Sequence, residues 1–88
     1  MSRPATAMDA LVQIIERLRG PEGCPWDREQ SPRSMVRFLI EEAYELADAI
    51  EAGHSEHVCE ELGDVLFHIL FIAQMHAEKG QFDLERVC

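Results

Sequence analysis

Apolar residues recur every three or four positions along most of this 88-residue chain, and the breakers between them divide it into helices. Met8, Leu11, Val12, Ile15 and Leu18 form the first stripe. It predicts a helix over residues 6–19, capped by Thr6, with Asp9 in a weak capping-box position, and stopped by Gly20-Pro21. Residues 1–5 read as a disordered lead. Residues 20–31 hold Pro21, Gly23 and Pro25, too many breakers for regular structure, and are expected to be a loop. Ser31-Pro32 then starts a second helix over residues 32–52, with a capping hydroxyl ahead of proline at the first helical position and Gly53 as the stop. In it Leu39, Ala43, Leu46, Ala47 and Ile50 define an apolar face, and Glu41, Glu42, Glu45 and Asp48 take the opposite arc. Phe38 and Ala49 fall among these acids, so that arc need not be fully solvated.

Ser55 is expected to cap a third helix over residues 56–79, ending at Gly80. Its first half is acidic. Its second half, Val65, Leu66, Phe67, Ile69, Leu70, Phe71 and Ile72, is apolar nearly all round, and such a helix is surrounded by partners. Phe67, Leu70 and Phe71 exceed what helices one and two can cover, which predicts at least a homodimer. Residues 82–88 read as the start of a fourth helix. The expected fold is all-α, an antiparallel bundle in a single domain over residues 1–88, short enough for dimerisation to help its stability.

The chemistry sits in two acidic repeats, Glu41-Glu42-Ala43-Tyr44-Glu45 and Glu60-Glu61-Leu62-Gly63-Asp64. At about 100° per residue Glu42 and Glu45 share one helix face, and so do Glu61 and Asp64. Helices joined by a short turn run antiparallel, so the two pairs can converge. Four carboxylates at one point repel unless a cation neutralises them. Oxygen ligands suit Mg²⁺ or Mn²⁺, and Mg²⁺ on a few carboxylates usually serves a phosphate substrate. The competing reading is a solvated acidic face. Gly63 favours the site, because a glycine inside a helix costs roughly 1 kcal/mol and close approach of a neighbouring helix or ligand would explain it. His68, one turn beyond Asp64, reads as a hydrogen-bonded histidine beside the site or in the core, since neutral imidazole matches Mg²⁺ poorly. His54 and His57 are expected in solvent, and Asp48 is either the far edge of the site or a surface charge. Trp26, beside Asp27 and Arg28, could stack on a nucleobase or fold back as a lid over the core; composition alone favours the lid.

Composition narrows the partners. Hydrophobic residues make up 47% and the formal net charge is −9, a globular balance that disfavours nucleic acid and anionic membranes. The longest apolar run is too short to span a bilayer. Cys24, Cys59 and Cys88 have no ligand spacing and read as cytosolic thiols, so a cytoplasmic location is expected. No Ser-His-Asp, Cys-His or glycine-rich phosphate motif is present, leaving covalent catalysis without support.

Gly23-Cys24-Pro25-Trp26-Asp27, Glu41-Glu42-x-x-Glu45, Asp48-Ala49-Ile50 and Glu60-Glu61-Leu62-Gly63-Asp64 together closely resemble the MazG family of nucleoside triphosphate pyrophosphohydrolases. The resemblance runs from about Leu11 to Val87. It implies an all-α fold related to dimeric dUTPases and phosphoribosyl-ATP pyrophosphatases, with helices from two subunits completing the bundle. It implies Mg²⁺-dependent cleavage of a nucleoside triphosphate between the α- and β-phosphates, giving the monophosphate and pyrophosphate. Glu42, Glu45, Glu61 and Asp64 would be metal ligands, Glu41 a catalytic acid close to the attacking water, and Trp26 with Asp27 and Arg28 the border of the nucleotide. Arg37 joins Arg17, Arg19, Arg28 and Arg33 as a candidate phosphate clamp, none of them assigned by spacing. The sequence departs from the family pattern at Ser31-Pro32-Arg33, at His68 where Gln is frequent, and at Ile72 where His is frequent. The family pattern also continues through a fourth helix carrying basic residues, so the sequence reads as truncated before it. The alternative implied is a helical dimerisation or regulatory module that keeps the acidic motif with impaired catalysis.

Overall fold

The computed structural model describes residues 4–88. They form helices α1 (Pro4–Leu18), α2 (Pro25–Glu29), α3 (Pro32–Ala52), α4 (Ser55–Glu78) and α5 (Leu84–Val87), and no strand occurs among the described residues. The all-α expectation holds. The start of α1 differs: Thr6 lies inside the helix rather than capping it, because the turn already begins at Pro4, and proline is well placed at a helix start. Of the disordered lead expected over residues 1–5, Pro4 and Ala5 belong to α1 instead, and residues 1–3 lie outside the described residues.

The expected loop also contains a helix. Gly23 packs so closely on the end of α1 that a Cβ there would collide with the carbonyl oxygens of Arg17 and Leu18. The Cys24 N–H donates to the Leu18 carbonyl at 3.0 Å, and Pro25 then occupies the first turn of α2. Breakers that exclude a long helix thus launch a short one. Five residues do not hold a helix by themselves. Trp26 of α2 rests its edge against Phe38 of α3, ring centroids 5.7 Å apart.

At the start of α3 the Ser34 N–H donates to Ser31 Oγ at 3.2 Å, and the Ser31 N–H donates to Ser34 Oγ at 2.9 Å. Gly53, with φ of 77°, closes α3 in the left-handed region. The α4 N-cap is His54 rather than the expected Ser55, and its side chain makes no capping hydrogen bond. At the other end Gly80, with φ of 68°, lets the Gln81 N–H reach the His76 carbonyl at 3.1 Å.

Helix α4 is the element on which α1, α3 and α5 pack. Ile15, Met35, Leu70, Phe71 and Met75 form the buried core, and Met8, Leu11, Val12, Phe38, Leu66, Phe67, Ile72 and Leu84 pack around it. Leu70 and Phe71 are therefore buried within one chain, with Phe67 against them, and do not by themselves demand a second subunit.

The face of α3 turned inward is not the expected one. Ala43, Ala47 and Ile50 are exposed, while Met35 and Ala49 are buried and Phe38, Leu39, Glu42 and Leu46 half-buried. Helix α3 carries two apolar arcs separated by about a third of a turn. The outer one, Val36, Ile40, Ala43, Tyr44, Ala47 and Ile50, lies open in the single chain. The inner one has Glu42 at its centre.

Candidate metal centre

Glu42 enters the site because its helical position is a core position, one turn beyond Phe38 and nearly two turns before Ala49. Glu45 borders the same stripe, and Glu61 projects from the facing helix α4 with only 8% of its surface exposed. One carboxylate oxygen each from Glu42, Glu45 and Glu61 lie within 4.8 Å of one another. Asp64, on α4, is exposed but close enough to act on Glu42 electrostatically. Burial pushes the Glu42 carboxyl above its ordinary range, and the charges of Glu45, Asp64 and Glu61 push in the same direction, while His68 opposes them.

Hydrogen bonding is incomplete. Glu42 Oε2 and Glu61 Oε2 are sealed from solvent and have no hydrogen-bond partner among the described residues. Native structures rarely leave such atoms orphaned. A divalent cation is the partner that suits two orphaned carboxylate oxygens and a third carboxylate beside them. All the donors are hard oxygens, the set preferred by Mg²⁺ and Mn²⁺. The residues present fit such an ion.

Two histidine contacts border this site, and the one made by His57 was not foreseen. His57, exposed as expected, places Nε2 3.2 Å from Glu61 Oε1 across one turn of α4. The i, i+4 spacing of His57 and Glu61 was the available signal. His68 is the expected hydrogen-bonded histidine, its Nδ1 donating to the Asp64 carbonyl oxygen at 2.8 Å.

The other sequence-selected residues lie around this centre rather than in it. Glu41 is rotated about 100° from Glu42 on α3 and faces solvent, with its Oε1 3.7 Å from Arg37 Nε. Trp26 is half exposed and packs on Phe38, which lies one turn of α3 before Glu42. Asp27 sits in the same short helix. Arg28 donates to the carbonyls of Gly20 and Pro21 and so braces the loop. Arg17 and Arg33 are exposed.

Arg19, a candidate phosphate clamp by sequence, is committed elsewhere. Its side chain is only 9% exposed and forms a two-pronged pair with Glu78 at 2.8 and 2.9 Å. Its Nη1 donates to the carbonyls of Asp27 and Gln30, and the guanidinium lies 5.4 Å from the centre of the Phe71 ring. Hydrogen bonding from Arg19 holds the Glu78 carboxyl below its ordinary range.

The MazG nucleotide pyrophosphohydrolase domain matches the chain over residues 30–88, which includes α3, α4 and all four acids. The chain belongs to the MazG family. Over 87 residues, 99% of the chain, it is 46% identical to the nucleoside triphosphate pyrophosphohydrolase/pyrophosphatase MazG of Thermotoga maritima, covering 34% of that protein. It is 45% identical over 82 residues to the nucleoside triphosphate pyrophosphohydrolase of Escherichia coli, covering 92% of the chain and 31% of that protein. The corresponding protein of Mycolicibacterium smegmatis is 40% identical over 73 residues, 83% of the chain and 22% of its own length. The chain thus spans about a third or less of these relatives. The Thermotoga maritima alignment extends the likeness over α1 and α2, ahead of the domain match.

Proposed function

We propose that this MazG domain hydrolyses a nucleoside triphosphate to the monophosphate and pyrophosphate with Mg²⁺, or Mn²⁺ in its place, held by Glu42, Glu45, Glu61 and Asp64. The observation that carries the reading is the pair of sealed oxygens on Glu42 and Glu61, unpartnered among the described residues, in a cluster of carboxylates shared with Glu45. When bound, the metal supplies charge neutralisation for the triphosphate and for the departing pyrophosphate.

The residues of the chain do the rest. Glu42 and Glu61, fixed by burial, hold their oxygens in place before substrate arrives, so little reorganisation is needed. Water attacks the α-phosphorus, the bond from that phosphorus to the bridging oxygen breaks, and pyrophosphate leaves. A free oxygen of one of the ligands accepts the water proton, and Glu41, the next residue along α3 but turned to solvent, is the second candidate. Trp26, above Phe38, offers its exposed ring to the base. Arg37, exposed beside Glu41, and Arg28 are the proposed contacts for the phosphates.

A homodimer fits this reading. Val36, Ile40, Tyr44 and Ile50 leave an apolar arc of α3 uncovered, and Leu62 and Ile69 do the same on α4. No described helix is long and apolar enough to cross a membrane, and the three free thiols agree with a cytoplasmic location.

The test is Mn²⁺ binding followed by electron paramagnetic resonance, with pyrophosphate release assayed in parallel. Binding by the parent chain and its loss in Glu42→Gln, Glu45→Gln and Glu61→Gln support the site. Metal binding without pyrophosphate release, across several nucleoside triphosphates, would favour a regulatory module instead.

A further inference from the structure

Helix α2 carries Trp26 but is too short to hold itself, and it is secured at both ends by the last turn of α1. At its start, Gly23 and Cys24 lie on the Leu18 carbonyl. At its end, the Asp27 carbonyl accepts only a long bond, 3.4 Å, from the Gln30 N–H, and the Gln30 carbonyl lies just past the last helical residue. Arg19 Nη1 donates to both. Arg19 is itself held rigidly: Glu78 at the end of α4 takes Nε and Nη2, and the Phe71 ring lies 5.4 Å away. One guanidinium therefore joins α1, the end of α2 and the end of α4. Gln30, whose carbonyl it holds, also directly precedes the Ser31 cap of α3.

We propose that Arg19 is a positioning residue for the nucleobase: its hold on the Asp27 and Gln30 carbonyls sets where α2 presents Trp26. This rests on the reading of Trp26 as the surface that meets the base. Arg19 touches neither nucleotide nor metal and acts through α2. Lysine does not replace it, because one ammonium cannot present a planar fork to Glu78 while reaching two carbonyls. The acidic cluster lies on the α3–α4 pair, so loss of the clamp frees Trp26 without dispersing the carboxylates.

Trp26 is the only tryptophan, so its fluorescence reports on α2 directly. The experiment compares the parent chain with Arg19→Gln, Arg19→Lys and Trp26→Ala, after circular dichroism has shown each to be helical. Three quantities are measured: Trp26 emission with acrylamide quenching, Mn²⁺ affinity without nucleotide, and affinity for a panel of non-hydrolysable α,β-methylene nucleoside triphosphates with Mn²⁺. In both Arg19 variants emission shifts to the red and quenching rises. Their Mn²⁺ affinity stays within about twofold, as for independent sites. Affinity for the best analogue falls about tenfold or more, in line with stacking of a base on an aromatic ring. Should Arg19→Gln fail to fold, Glu78→Gln loosens the same clamp and carries the same measurements. Unchanged Trp26 emission and quenching overturn the positioning role. Equal losses of Mn²⁺ and nucleotide affinity overturn it too, by showing general disruption. Unchanged nucleotide affinity in Trp26→Ala overturns the nucleobase reading beneath it, and does so whatever the Arg19 variants show.

Discussion

Replacing Glu61 by glutamine tests whether the acidic cluster is built for a cation or for the fold. Glu61 is 8% exposed, and its Oε2 is sealed without a partner. Leaving a buried acceptor unsatisfied costs about 1–3 kcal/mol, and more when it is charged. In metal-free protein the Glu61→Gln change removes one of several mutually repelling charges. The expected result is a gain of about 1 kcal/mol, or a rise in Tm of roughly 4–8 °C for a domain of this size. Metal reverses the order. At a hundred times its Kd, a bound ion stabilises the parent by about 2.7 kcal/mol, a Tm rise on the order of ten degrees. Glu61→Gln should lose most of that rise. Thermal unfolding of both proteins, with EDTA and then across a Mg²⁺ or Mn²⁺ titration, gives all four values. If Glu61→Gln is less stable than the parent in EDTA, and neither protein responds to metal, Glu61 serves packing and the cation reading fails.

Glu78 links stability to acid: its folded carboxyl sits below its ordinary range through hydrogen bonding from Arg19, so its contribution is present above the unfolded value of about 4.3 and is lost as pH falls through the lower folded value. Urea unfolding below pH 4.3 should therefore be less pH-dependent in Glu78→Gln, and an unchanged slope would remove Glu78 from the acid response. Ile40→Glu should convert a dimer into a folded monomer by sedimentation, since Ile40 is 51% exposed in the single chain; a dimer that persists places the interface elsewhere. Gly63 has no neighbouring atom within 4 Å of the position a Cβ would take, so Gly63→Ala should stabilise the isolated chain by about 1 kcal/mol on helix propensity alone. If the same change weakens dimerisation or nucleotide binding, a partner or ligand approaches at Gly63; if it destabilises the monomer, the local geometry is wrong.

The helices were legible wherever one local signal decided them. Ser31-Pro32 and Gly53 bracket α3 within a residue of expectation, because a reciprocal serine cap and a left-handed glycine are set by neighbours in sequence. Helix α2 was not legible, since its support comes from Arg19, eleven residues before the Gln30 carbonyl it holds, and from Glu78, 59 residues beyond Arg19. Pro25 reads as a breaker in sequence, although proline at a first turn is also a start. The buried face of α3 differs from expectation for another reason. That helix has two apolar arcs, and periodicity cannot say which of them meets α4. Phe38 and Ala49 among the acids were the clue that the acidic side turns inward.

The same ambiguity explains why the four acids were easier to find than to assign. E-x-x-E and E-x-x-D spacings place carboxylates on common helix faces, and the two-residue turn at Gly53-His54 brings those faces together. Spacing alone does not distinguish Glu41 from Glu42, which differ by one residue and by about 100° of rotation. That rotation puts Glu42 in the inner stripe, where burial raises its carboxyl and leaves Oε2 without a partner, and puts Glu41 in solvent beside Arg37. A helix optimised only for folding would place leucine or alanine at position 42, matching Leu46 and Ala49 below it. A glutamate there raises the free energy of the empty chain, and a cation shared by Glu42, Glu61 and the exposed Glu45 beside them would recover the loss. The departure from good packing at Glu42 and Glu61 is thus itself the sign of a ligand, and it becomes visible only once the helix has been rotated correctly.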